Sequence, residues 1–133
     1  MKTILFLCPQ NNGRSVIAAA YFDHMVAERG LTDYKAASAG TEPSASVAPK
    51  VAELLEAHGF DVWDHLPWHA TLDELQTAYR VISMGCDVSE LAPGVYVKEW
   101  NDVPAPGKDL LGAWKMIRHR VGKLVDELAS QRD

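Results

Sequence analysis

The stretch Cys8-Pro-Gln-Asn-Asn-Gly-Arg-Ser15 decides the fold, because it joins an apolar run to an amphipathic segment. The run Thr3–Leu7 is predicted to form a buried parallel strand, and residues Val16 to Glu28 are predicted to form a helix. A loop before a helix N-terminus can turn successive backbone N–H groups inward, and the helix adds partial positive charge. The sequence therefore predicts a cradle for a tetrahedral oxyanion at this junction.

Three side chains of this stretch have the chemistry that such a cradle needs. The field of the loop favours thiolate over thiol, so Cys8 is the predicted nucleophile. Arg14 can hold two equatorial oxygens of the anion with its planar guanidinium, and Ser15 can donate its hydroxyl proton to the sulfur. The predicted oxyanion-binding loop consists of Pro9, Gln10, Asn11, Asn12, Gly13 and Arg14.

Length and composition favour one globular domain over residues 1–133. Hydrophobic residues make up 47% and charged residues 23% of the chain, and the formal net charge is −5. Without a basic patch, nucleic acid is not an expected partner. The apolar segment after Met1 is too short for a signal peptide, and no other stretch approaches a membrane span. Two cysteines cannot build a disulfide framework, and a free thiol at Cys8 suits a reducing compartment, so we expect a cytoplasmic protein.

Strands and helices alternate along the rest of the chain. The strands are predicted at Thr3–Leu7, Tyr34–Ala39, Tyr79–Met84 and Val95–Lys98. Later helices are predicted from Pro49 to Gly59, after the capping-box pattern Thr71–Glu74, and along the apolar positions from Leu110 to Leu128. This alternation predicts a parallel sheet with helices on both faces and ligands at the carboxyl ends of the strands.

The loop and four further motifs together resemble the low-molecular-weight tyrosine phosphatase superfamily. They are Cys8–Ser15, Ser38–Thr41, Asp64–Pro67, Val81–Cys86, and Glu99-Trp100 with its proline-containing loop. Within the superfamily they are most similar to the arsenate reductases. The resemblance implies a three-layer α/β fold with a four-stranded parallel sheet in the order 2-1-3-4. It also implies that Cys8 attacks, Arg14 clamps the oxyanion, Ser15 stabilises the thiolate, and Asn11 supports the loop through Ser38.

The chain departs from the family at the general acid. The family has an aspartate immediately before a proline after the fourth strand, whereas Ala105 precedes Pro106 here. Asp102 is the candidate replacement for this general acid. The alternative is that Asp102 is an ordinary solvent-exposed carboxylate of the loop. Asp109 is a weaker candidate, because it is expected to cap the last helix. Gly107 stands where phosphatases have a tyrosine, so only Trp68 or Trp100 could provide a wall for an aromatic substrate.

The cysteine count limits the redox chemistry. Some reductases of the family use three cysteines, but this chain has only Cys8 and Cys86. Either Cys86 is the resolving thiol or an external donor is, such as thioredoxin or a low-molecular-weight thiol; Cys86 could equally be a small buried residue closing the third strand. Ala19 replaces an acidic residue that holds potassium in some reductases. We therefore expect no bound metal and no bound cofactor.

Three functions agree with these features. The first is reduction of arsenate to arsenite through a Cys8–arsenic adduct, which a second thiol resolves. The second is hydrolysis of a phosphomonoester through a phosphocysteine, as in a low-molecular-weight protein tyrosine phosphatase. The third is a non-catalytic oxyanion or thiol sensor. In each case the expected ligand is a small oxyanion, with phosphate or sulfate as analogues of arsenate, and a reductase also needs a thiol-redox partner.

Overall fold

The computed structural model describes residues 1–131, in which strands and helices alternate as the sequence predicts. The strands are β1 (Lys2–Leu7), β2 (Tyr34–Ala39), β3 (Arg80–Ser83) and β4 (Lys98–Glu99). The helices are α1 (Arg14–Glu28), α2 (Pro49–Ala57), α3 (Leu72–Thr77) and α4 (Pro106–Ser130). None of the helices in residues 1–131 is long and apolar enough to cross a lipid bilayer.

The four strands form one parallel sheet in the order β2-β1-β3-β4, which confirms the predicted order 2-1-3-4. Strand β1 is central: Leu7 at its end lies opposite Ala39 of β2 and Ser83 of β3. The loop after Leu7 therefore begins at the carboxyl edge of the sheet, between its two neighbours. This is the place where open parallel sheets bind ligands.

Alternate side chains of β1 enter two different hydrophobic clusters. Ile4 and Phe6, together with Cys8 directly after the strand, belong to the larger cluster, in which α1, α2 and α4 cover one face of the sheet. Leu5 and Leu7 belong to the smaller cluster with Leu75 of α3. Because successive strand residues point to opposite faces, the two clusters lie on opposite sides of the sheet. Helices thus cover both faces, as the sequence predicts.

The fourth strand and the last helix begin at other residues than the sequence predicts. The fourth strand was expected at Val95–Lys98 but is observed only at Lys98–Glu99, because the valines pack on the smaller cluster without joining the sheet. The last helix begins at Pro106 and breaks at Asp109, whose φ of −154° is not helical. The Asp109 carboxylate accepts a hydrogen bond from the Gly112 N–H at 2.9 Å. Asp109 thus has the capping role expected of it.

Candidate functional site

Hydrogen bonds from a neighbouring segment to its carbonyl oxygens hold the loop between β1 and α1 in place. Backbone N–H groups of the following segment donate to three of them: Glu42 to Pro9 at 2.7 Å, Ser44 to Gln10 at 3.1 Å and Ala48 to Asn12 at 3.0 Å. Since the N–H and C=O groups of a peptide point in opposite directions, outward carbonyls leave N–H groups turned toward the inside of the loop. The arrangement supports the oxyanion cradle that the sequence predicts.

Two glycines let other parts of the chain approach this loop closely. A Cβ atom on Gly40 would lie 2.6 Å from the Pro9 carbonyl oxygen and 2.8 Å from that of Cys8. A Cβ atom on Gly13 would lie 2.9 Å from Cγ of Pro106, at the start of α4. Gly13 therefore lets the first residue of α4 pack directly against the loop.

Cys8 lies at the base of the loop with two donors directed at its sulfur. The side chain is buried, with 2% of its surface exposed. The Ser15 hydroxyl oxygen lies 3.1 Å from Cys8 Sγ, and the Ser15 backbone N–H donates to the same sulfur at 3.4 Å. Ser15 is in the first turn of α1, so the helix N-terminus adds partial positive charge. All three contributions would stabilise negative charge that develops on the sulfur.

Asn11 aligns the Ser15 hydroxyl. Its amide nitrogen donates to Ser15 Oγ at 2.8 Å, which leaves the hydroxyl proton available for the sulfur. Its carbonyl oxygen accepts from the Trp68 backbone N–H at 3.2 Å and lies 3.1 Å from His65 Nε2. The backbone φ of Asn11 is 50°, a left-handed conformation that asparagine adopts more readily than most residues.

The support expected from Ser38 takes a different form. Within residues 1–131, the side chain of Asn11 bonds to Ser15, His65 and Trp68 rather than to Ser38. Ser38 takes part through its backbone carbonyl, which accepts from the Trp68 indole at 2.9 Å. The segment around Trp68 lies between the loop and the edge strand β2 and therefore takes the contacts predicted for the serine.

His65 is a residue of the site that the sequence analysis missed. Burial lowers its pKa, and the hydrogen bond to Asn11 has the opposite, smaller effect. The ring is therefore neutral near neutral pH, and its Nε2–H donates to the Asn11 carbonyl oxygen. The sequence feature that could have identified His65 is its position in Asp64–Pro67, one of the motifs that resemble the family.

Arg14 is directed toward the loop that precedes α4. Its guanidinium donates to the Val103 carbonyl oxygen at 3.2 Å. It also packs against Gly85, where a Cβ atom would lie only 3.1 Å from one of its nitrogens. Gly85 has a φ of 90°, and its N–H donates to the Asn101 side chain at 3.1 Å. Two loops thus fix the clamp predicted at Arg14.

The structure argues against the acid role expected for Asp102. Both carboxylate oxygens accept from Arg120 of α4, at 2.6 and 2.5 Å. The hydrogen bond from Arg120 holds the pKa of the Asp102 carboxyl below its ordinary value. A general acid must carry a proton near neutral pH, so this ion pair opposes the chemistry. Ala105, directly before Pro106, is the N-cap residue of α4 and has no proton to give.

Cys86 lies near the site but on the other side of the sheet. Its thiol is 3.4 Å from the Ser83 hydroxyl and packs against the smaller cluster, whereas Cys8 belongs to the larger one. Burial raises the pKa of the Cys86 thiol, the hydrogen bond from Ser83 lowers it, and the charge of Cys8 raises it further. Cys86 also lines an open cavity of about 560 Å³ with Asn101 and Gly85.

Known proteins share this fold and these motifs. A relative from Halobacterium salinarum, which carries the provisional name arsenate reductase, is 32% identical over 92% of this chain and 89% of its own length. A solved arsenate reductase from Archaeoglobus fulgidus is 31% identical, with a TM-score of 0.74 over 92% of this chain and 98% of that one.

A third similar protein is the thioredoxin-dependent arsenate reductase Cg_ArsC1' of Corynebacterium glutamicum. It is 28% identical, with a TM-score of 0.84 over 99% of this chain and 64% of that one. Residues 3–105 match the family described as low molecular weight phosphotyrosine protein phosphatase. The chain belongs to the low-molecular-weight phosphotyrosine protein phosphatase family, whose enzymes include arsenate reductases.

Proposed function

We propose that this enzyme reduces arsenate to arsenite, with Cys8 as the nucleophile and Arg14 as the oxyanion clamp. The observation that carries the proposal is a cysteine with two donors at its sulfur, beside a loop in which no aspartate is free to act as the acid. Ser15 donates to the Cys8 sulfur, whereas Ala105 occupies the acid position and Asp102 is paired with Arg120. Arsenate exchanges its oxygens more readily than a phosphate ester loses its alcohol, so a reductase tolerates a poorer acid.

The reaction needs two thiols. The Cys8 thiolate attacks arsenic(V), a sulfur–arsenic bond forms, and one arsenate oxygen leaves as water after protonation. A second thiolate then attacks the Cys8 sulfur and forms a disulfide. The electron pair of the broken sulfur–arsenic bond stays on arsenic, which leaves as arsenite. Arsenic thus gains two electrons, and the two thiols are oxidised to one disulfide.

The second thiol is proposed to come from outside the chain. Cys86 lies on the opposite face of the sheet from Cys8, and burial raises its pKa, which lowers its thiolate fraction. The similar Corynebacterium glutamicum protein is described as thioredoxin-dependent, which supports an external thiol donor of the thioredoxin or low-molecular-weight class.

To test this function, the protein is assayed with arsenate and one reductant at a time. Arsenite formation is measured with thioredoxin, glutathione, mycothiol and bacillithiol systems, beside hydrolysis of p-nitrophenyl phosphate. We expect arsenite with at least one system, retention of most activity in Cys86→Ser, and loss of activity in Cys8→Ser. Loss of activity in Cys86→Ser under every reductant would assign the resolving thiol to Cys86 instead.

Phosphatase activity is the second candidate, and Trp68 is the observation in its favour. Trp68 is 53% exposed, and its backbone N–H donates to the Asn11 side chain in the loop. Trp68 could therefore provide the aromatic wall that Gly107 does not, whereas Trp100 is 8% exposed. Efficient phosphotyrosine hydrolysis without arsenite formation under any reductant would establish this function in place of the reductase.

A further inference from the structure

A cavity of about 540 Å³ lies between β3 and the second half of α4, away from the loop that contains Cys8. It exists because β4 pairs with only Ile82 and Ser83 of β3. On that side of the sheet Arg80 and Val81 have no partner strand, and this gap is the floor of the cavity. A cavity of this size holds one small organic molecule. We call it the β3–α4 groove.

The groove is positively charged in a protein whose formal net charge is −5. Four cationic residues line it, and only one carboxylate does: the cations are Arg80, Lys98, Arg120 and Lys123, and the carboxylate is Glu127. Glu127 pairs with Arg80, and Asp102 pairs with Arg120. Within residues 1–131 no carboxylate forms an ion pair with Lys98 or Lys123. The groove thus has an excess of positive charge that an anion would complement.

Aromatic rings form the sides of the groove. Tyr79 and Tyr96 are 42% and 78% exposed, and the buried Trp100 forms an inner wall. The Arg120 guanidinium lies 5.9 Å from the Trp100 ring centroid. Val81, Ile82 and Leu124 add apolar surface. Flat apolar walls with a cationic rim fit a planar aromatic ring that carries an acidic group.

The segment after β4 connects this groove to the oxyanion loop. Trp100 lines the groove, and Asp102 is bonded to Arg120 on its rim. The next residue, Val103, accepts the hydrogen bond from Arg14. A molecule that displaces Trp100 or Arg120 would therefore shift the Val103 carbonyl, which accepts the hydrogen bond from Arg14.

We propose that the β3–α4 groove binds a planar aromatic anion, and that binding there changes the affinity of the Arg14 loop for its oxyanion. The second half of this statement rests on the proposed function. The chemical class is an aromatic ring or fused ring pair that bears a carboxylate, sulfonate or phosphate. The groove is thus an effector site separate from the cradle.

Binding is tested with 2-naphthoate as the probe, in saturating inorganic phosphate to fill the cradle. Backbone amide NMR is expected to show shifts at residues 79–82, 96–100 and 120–127. The double variant Lys98→Gln/Lys123→Gln is expected to bind at least about fivefold more weakly, since each exposed charge pair contributes modestly. Lys108→Gln/Lys115→Gln, on the same helix outside the groove, is the matched control and keeps wild-type affinity.

Three results would overturn the binding site. Equal affinity in the groove variant and the control would mean that the lysines do not recognise the anion. Equal affinity for the uncharged 2-naphthalenemethanol would remove the electrostatic argument. Groove shifts that depend on protein concentration without any probe would identify the surface as a contact between two copies of the chain.

Coupling is tested by calorimetric titration of phosphate with and without saturating 2-naphthoate. We expect the dissociation constant of phosphate to change by at least about threefold in wild type and to stay constant in the Lys98/Lys123 variant. An unchanged constant in wild type would refute the effector role. If phosphate fails to bind while 2-naphthoate still binds the groove, the proposed oxyanion function fails and the groove remains a binding site.

Discussion

The reactivity of Cys8 depends on the hydroxyl and the backbone N–H that Ser15 directs at its sulfur, whereas Cys86 has the hydroxyl of Ser83 at 3.4 Å. Burial also raises the pKa of Cys86. At neutral pH we expect iodoacetamide to alkylate Cys8 at least about tenfold faster than Cys86. The rates are measured by mass spectrometry on Cys8→Ser and Cys86→Ser. Saturating phosphate should slow the reaction at Cys8 alone, and equal rates at both thiols would contradict the prediction.

We expect Arg14 to act through the shape of its guanidinium as well as its charge. Lysine keeps the charge but loses the two parallel donors and the contact with Val103. Arg14→Lys is therefore expected to cost at least about 2 kcal/mol of transition-state stabilisation, which is about thirtyfold in kcat/KM. Arg29→Lys, in an exposed ion pair with Asp126, is the matched control. Kinetics within about threefold of wild type in Arg14→Lys would place the oxyanion elsewhere.

Asp102 is expected to hold Arg120 and the loop before α4 rather than to donate a proton. The variant Asp102→Asn should therefore change the rates with good and poor leaving groups by the same factor. A series of aryl phosphates of increasing leaving-group pKa measures this. A loss that grows with the basicity of the leaving group would restore Asp102 as the general acid and favour the phosphatase function.

At the scale of elements, the site depends on how closely β2 approaches the oxyanion loop. Gly40→Ala would place Cβ against the backbone oxygens of Pro9 and Cys8, which cannot move without distorting the loop. We expect it to lower both the unfolding temperature and the affinity for phosphate. Gly122→Ala, inside α4 with open space around its Cβ position, is the matched control. It should instead stabilise the protein by about 0.5–1 kcal/mol.

Thermal unfolding of both glycine variants, followed by circular dichroism, measures this difference. A Gly40→Ala protein as stable as wild type and with unchanged phosphate affinity would mean that the loop tolerates a shift of β2.

At the scale of the whole molecule, stability should depend on pH through His65. Burial lowers its pKa, so the folded protein binds a proton less readily than the unfolded chain does. Acidification through the ordinary histidine pKa of about 6.5 therefore favours the unfolded chain. We expect the unfolding temperature to fall between about pH 7.5 and pH 5.5. The fall should be smaller in His65→Gln than in wild type.

His119→Gln, on an exposed part of α4, is the matched control for this measurement and should keep the wild-type dependence. The comparison uses the slope of unfolding temperature against pH, because removing a hydrogen bond to Asn11 lowers stability at every pH. Identical slopes in His65→Gln and wild type would assign the pH dependence to other groups.

The sequence by itself determined the parts of this protein that are encoded locally. The strand–loop–helix junction at Cys8–Ser15, the alternation of strands and helices and the capping box at Thr71 follow from neighbouring residues, and each is present in the structure. The strand order came from the family resemblance, since no local pattern states which strands are neighbours. The predicted start of the fourth strand was wrong, because Val95 and Val97 pack on the smaller cluster and pairing in the sheet begins only at Lys98.

Only the tertiary structure decided the partners of the candidate site residues. Asp102 meets an arginine 18 positions away, and Arg14 meets a carbonyl 89 positions away. Asn11 bonds to His65 and Trp68 rather than to Ser38, because a separate segment lies against the loop. Such contacts depend on how segments that are distant in the sequence pack together. This packing pairs the Asp102 carboxylate with Arg120, and it places Cys86 against a different hydrophobic cluster from Cys8.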